Sequence, residues 1–154
     1  MIEKLLMFFV AGMLSIITAG CEKLDTVESI YPNYQDVLDA DAIGHGKWIP
    51  VYLPQSARNI KELHNPDTNE IWLSFVYDTE DLQPVADVCN KINQAEIRYP
   101  RKPSVSWWPI TLTENQPNGA KPAFVNYIYY QCVDGGFLFQ DSKTNEVYYW
   151  HKGS

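Results

Sequence analysis

Residues 124–133, 136–141 and 146–151 form three runs rich in Tyr, Phe, Val and Trp, and only Asp134-Gly135 and Ser142-Lys143-Thr144-Asn145 separate them. Runs this short, bounded by turn residues, predict strands, and such brief connections join antiparallel neighbours. The C-terminal third is therefore expected to be a meander. Upstream, residues 59–64 and 70–78 flank Asn65-Pro66-Asp67-Thr68-Asn69, a concentrated turn signal, and predict a hairpin. In its second strand Ile71, Leu73, Phe75 and Tyr77 alternate with Trp72, Ser74 and Val76, which commits one face to the core.

Two segments carry helical spacing. In residues 34–43, Tyr34, Val37, Leu38 and Ala42 follow an Asn33 N-cap, with Asp36 in the first turn. In residues 81–92, Leu82, Val85, Val88, Cys89 and Ile92 recur every three or four positions, with Pro84 placed where a first turn tolerates it. Hairpins plus two helices predict an α+β fold: an antiparallel sheet of about five or six strands with two helices packed on one face. Residues 48–54 hold Pro50 and Pro54 among large apolar side chains and read as an extended cover over the core. Residues 99–122, with Pro100, Pro103, Pro109, Pro117 and Pro122, read as a long irregular loop in which 105–112 form a short edge strand.

The N-terminus has a different character. Lys4 precedes an apolar and small-residue run from Leu5 to Gly20, interrupted by Gly12, Ser15 and Thr18. The run is shorter and less apolar than the roughly 20 residues of a spanning helix, and a cleaved export signal fits it better. Thr18-Ala19-Gly20-Cys21 resembles the lipobox of bacterial lipoprotein signal peptides. The resemblance implies a diacylglyceryl group on the Cys21 sulfur, cleavage before it, and a further acyl chain such as palmitate on the new amine. Thr18 stands where the family has an aliphatic residue. Three chains would hold the protein firmly, where one would hold it only reversibly. Glu22 in place of Asp implies, by the same resemblance, sorting to the periplasmic face of the outer membrane. The expected organisation is a signal peptide over 1–20, a lipidated tether over 21–29 and a single domain over 30–154.

The formal charge of −7 survives removal of the leader, which takes away one Lys and one Glu. An acidic chain whose densest basic group is Arg98, Arg101 and Lys102 repels phosphate, so nucleic acid is not an expected partner. With Cys21 acylated, Cys89 and Cys132 remain. An oxidising periplasm would allow them to pair, while two separately buried thiols is the other reading.

No motif for chemistry stands out. Of the three histidines, His45 lies between glycines and His151 near the C-terminus, both read as surface positions. Glu62, His64, Asp67 and Glu70 place an imidazole and acceptors around one turn, making His64 and Asp67 weak metal candidates; turn chemistry at Asp67 and Asn69 explains the same residues. No Gly-x-Ser-x-Gly, Cys-x-x-Cys or phosphate loop occurs, and no cofactor is implied. The aromatic residues offer the other lead. Trp107, Trp108, Tyr127, Tyr129 and Trp150 either display rings to an envelope protein or glycan, or pack across strands beneath the Trp107-Trp108 loop.

The string from Gly46 through Trp48, Pro50, Pro54, Ala57 and Ile60, continuing from His64 to Trp72, resembles a family of small uncharacterised bacterial proteins, many of them lipoproteins. The resemblance implies a shared fold element and no activity. The expected function is a lipid-anchored, non-enzymatic envelope protein with a binding or accessory role. Two alternatives stay open: a small envelope hydrolase or metal-binding enzyme using His64 with Glu62 or Asp67, and a periplasmic inhibitor or immunity protein.

Overall fold

A computed structural model describes residues 26–81, 83–114 and 127–153. Residues 1–25 with the expected signal peptide and Cys21, Leu82, the end of the proline-rich loop at 115–122 and the start of the first meander strand at 124–126 lie outside them.

The described chain forms one antiparallel sheet of seven strands: β1 (Val27–Asn33), β2 (Arg58–Asn65), β3 (Glu70–Val76), β4 (Cys89–Ile92), β5 (Tyr127–Cys132), β6 (Phe137–Asp141) and β7 (Glu146–His151). Their order across the sheet is β1-β2-β3-β7-β6-β5-β4. The β2–β3 hairpin and the β5–β6–β7 meander stand where alternation places them. The turn between β2 and β3 is organised by Asn65, whose Oδ1 accepts from the amides of Asp67 and Thr68 at 2.9 and 3.1 Å, with Asn69 in the left-handed region. Asp67 and Asn69, expected to bond the turn backbone themselves, are not its acceptors.

The expected α+β architecture with two packed helices is corrected: the protein is predominantly β. Helix α1 spans only Tyr34–Asp39 and is closed by a reciprocal capping box between Asn33 and Asp36. Residues 81–92 do not form the long helix that their spacing predicts. A helical turn, α2 (Gln83–Ala86), leads through the turn residues Asp87 and Val88 into β4, whose Cys89–Ile92 pair with Cys132–Tyr129 of β5. The apolar spacing is local, whereas the pairing partner lies across the sheet, and pairing wins. Residues 105–112 are likewise not a strand; they contain a 3-10 turn at Ile110–Leu112. Val27 to Ser29, expected in the tether, belong to β1. Their exposed pattern and Pro32 suit an edge strand, which carries little hydrophobic alternation for a reader to find.

Both faces of the sheet are covered, each by a connection that must cross it. β3 sits mid-sheet and β4 at the far edge, and Val85 of their connection packs with Val37 of α1 and with Ile49, Tyr52 and Leu53 of the proline-bearing segment. These side chains close over Ile60, Leu73, Tyr77, Leu138, Val147 and Tyr149. The opposite face carries Leu63, Trp72, Phe137, Phe139, Tyr148 and Trp150 and is sealed by Trp108 and Leu112 from the loop after β4. Each fully buried large side chain contributes roughly 1.5–3 kcal/mol, so the two layers together hold the sheet.

Candidate functional site

Alternation along the strands decides which polar groups meet. Val27, His64, Ile71 and His151 are register partners across β1, β2, β3 and β7, and so form one row at the end of the sheet where β1 begins. Loop 44–51 folds over this end, and a recess of about 210 Å³ lies between it and the sheet, lined by Trp48, Pro50, Val51, Ile71, Tyr149 and His151 among others.

Behind the recess the Trp48 ring lies flat on the His64 imidazole, centroids 3.8 Å apart and planes 8° from parallel. His64 Nδ1 is 2.8 Å from Glu62 Oε1, and Glu62 is only 1% exposed. Desolvation pushes the Glu62 carboxyl up to about 8 and the His64 imidazole down, so burial favours the uncharged form of both. The pair holds one proton between two atoms. His64 is thus engaged by Glu62 and covered by Trp48, while Asp67 stays exposed on the turn. The structure does not join His64 and Asp67 as ligands, and no group of three His, Cys, Asp or Glu side chains able to hold a metal is found among the described residues.

Asp134 organises the other side of the recess. Its Oδ2 accepts from the hydroxyls of Tyr52 at 2.7 Å and Tyr149 at 3.0 Å, and its Oδ1 from the Gly136 amide at 2.9 Å. Burial, reinforced by the carboxylate, pushes both phenols well above their ordinary range, so they remain donors. His151 is fixed by elimination. The Gly153 amide can only donate and lies 2.9 Å from Nδ1, so Nε2 carries the hydrogen and donates to the Asp134 carbonyl at 3.0 Å. Two glycines make these contacts possible. A Cβ on Gly136 would fall 2.3 Å from the Tyr149 ring, and one on Gly153, whose φ is +81°, would fall 1.9 Å from the Thr68 carbonyl.

The aromatic residues nominated for partner binding are mostly covered. Trp108, Tyr129 and Trp150 are buried, and Trp107 and Tyr127 are half-buried. Trp108 meets Tyr148 edge-on at 5.7 Å and Phe139 at 6.4 Å, and its indole N–H donates to the Leu112 carbonyl. Trp107 donates to Glu28 at 2.7 Å and Trp150 to Glu70 at 2.9 Å. Tyr127 packs edge-on against Tyr148. Cross-strand packing beneath the Trp107-Trp108 loop is the arrangement found. At Trp108, Tyr129 and Trp150 this corrects the reading of rings displayed to a partner.

Cys89 and Cys132 face each other across β4 and β5 and are joined by a disulfide. Sequence reading anticipates this pairing, though on a helix packed over the sheet and not within it. It misses the Asp134 cluster and the Trp48–His64 stack. Asp134-Gly135 reads as a turn, and only the period-two register shows that His64, Tyr149 and His151 share a face.

A family model described as the YbbD head domain matches residues 25–76, the stretch that carries β1, α1, loop 44–51, β2 and β3. The string from Gly46 to Trp72 lies inside it. No curated protein and no solved structure matches the chain.

Proposed function

We propose that this protein is a lipid-anchored lipoprotein of the cell envelope, held through Cys21 at the periplasmic face of the outer membrane, with a non-enzymatic binding or accessory role. The observation that carries the reading is the Cys89–Cys132 disulfide. Such a bond persists in an oxidising compartment, and it occupies both cysteines that follow the leader, leaving Cys21 as the remaining thiol. The likeness of residues 25–76 to the YbbD head domain supports an envelope-type protein. The non-enzymatic part rests on engagement of the reactive groups. His64 is taken by Glu62 and Trp48, both ring nitrogens of His151 are committed, and the Asp134 carboxylate is held by three donors.

Fractionation of cells producing the wild type and Cys21→Ser tests the reading. The wild type is expected to resist salt and leave membranes only in detergent, with Cys21→Ser absent from the salt-resistant fraction. A Cys21→Ser protein that remains wholly detergent-dependent would overturn it.

A further inference from the structure

We infer that the end of the sheet where β1 begins rests against the bilayer, with the side chains of Val27, Val51 and Val133 at the headgroup region. This deepens the lipid-anchor reading and rests on it.

Reach limits how the domain can sit. Thr26 is already part of the fold: its hydroxyl lies 3.5 Å from that of Ser104, and Val27 next to it is paired with His64. From Cys21 to Thr26 the chain has five peptide steps, which at about 3.3–3.6 Å each span at most about 18 Å. Strand β1, Val27–Asn33, is itself about 20 Å long at ~3.3 Å per residue. Turning the opposite end of the sheet toward the membrane would lift Thr26 further from the bilayer than an acylated Cys21 can follow. Reach therefore favours the orientation with the start of β1 toward the bilayer.

Surface chemistry selects among the remaining tilts. Val27, Val51 and Val133 are 48%, 52% and 76% exposed. They come from β1, from loop 44–51 and from the β5–β6 turn, yet all sit at this end, where Val51 and Asp134 line one recess. Trp48, half-buried beside them, is the residue type that membrane interfaces favour. Charge at this end is mixed: Lys47 holds Asp41, Arg101 and Lys152 act on Glu70 together with Glu114, and Asp67 and Asp134 stand on the two turns. The opposite end carries Asp78, Glu80 and Asp81 after β3, Asp141 at the end of β6 and Glu146 at the start of β7, against Arg58 and Lys143. Acidic residues stand at both ends, so the exposed valines and Trp48 make the choice.

The test uses the full acylated protein in vesicles of phosphatidylethanolamine and phosphatidylglycerol with brominated chains. Val51→Cys and Glu80→Cys each add one thiol for an environment-sensitive fluorophore, since lipid and the disulfide occupy the native cysteines; His45→Cys on the same loop serves if Val51→Cys misfolds. The label at 51 or 45 is expected to lose most of its emission to the bromines and the label at 80 to keep it. Equal quenching at both ends, or none at either, in protein whose mass includes the lipid, would overturn the orientation alone. A mass without lipid would bring down the anchor as well.

Discussion

Glu62 and His64 point the same way from β2 and touch, Oε1 to Nδ1 at 2.8 Å, inside a domain whose net charge is otherwise carried on its surface. A carboxyl that is 1% exposed is costly to ionise, and the imidazole beside it is desolvated as well. Both shifts act on one shared proton, so the pair makes stability depend on pH in two directions.

Stability should fall as pH rises above 6.5, because the folded pair then holds a proton that the unfolded chain has lost. Just below the ordinary His64 value of 6.5 the unfolded chain carries one proton on the two groups, as the folded pair does, and the two contributions cancel. Above 6.5 the unfolded chain has lost that proton, but folded Glu62 keeps it until about pH 8, so stability falls as pH rises through this window. The loss amounts to about 2 kcal/mol at 1.36 kcal/mol per unit. The contribution of the depressed His64 imidazole runs the other way: it is present above 6.5, is lost as pH falls, and opposes the gain from Glu62. Glu62→Gln should remove the alkaline loss and move the optimum above pH 6.5, read as urea midpoints across pH. Identical profiles for the two proteins would contradict the assignment.

Reduction of the Cys89–Cys132 bond, which closes a sequence separation of 43, should lower stability by roughly 3–4 kcal/mol in the chain-entropy account. Denaturation of the wild type with and without reductant, beside Cys89→Ser/Cys132→Ser, measures it. The short edge strand β4 should lose amide protection first, because among the described residues β5 is its one strand neighbour.

Trp108→Ala should cost about 3–5 kcal/mol, because it removes the ring that seals Phe139 and Tyr148. Thermal or chemical unfolding reads the effect directly. Unchanged stability would return Trp108 to the list of surface groups.

Gly136→Ala should cost roughly 1–3 kcal/mol, since a methyl group there displaces the Tyr149 ring and with it the donors around Asp134. Near-ultraviolet circular dichroism should show the tyrosine environment altered, and Gly135→Ala, where an added Cβ meets no atom within 4 Å but φ is +88°, separates backbone strain from the clash.

How legible the fold was depends on where each pattern acts. The β2–β3 hairpin and the meander were readable because alternation and turn residues are local, and the Asn33–Asp36 capping box is local too. Cys89 to Ile92 misled because a three- and four-residue apolar spacing resembles a helix, while the outcome is set by β5 and by Cys132, at a sequence separation of 43. β1 escaped because an edge strand with exposed Val27 and Ile30 shows no buried face. At the candidate site the residue types were visible and their convergence was not. Tyr52 and Tyr149 reach the same carboxylate oxygen from positions far apart in the chain, a relationship that exists only once the sheet is assembled.

Intact-mass measurement on protein extracted with detergent from its native cell tests the account most directly. The predicted mass is that of a chain beginning at Cys21 with a diacylglyceryl group and an N-acyl chain added and two hydrogens lost to the Cys89–Cys132 bond. A chain still beginning at Met1, or one cleaved without lipid, would contradict the account.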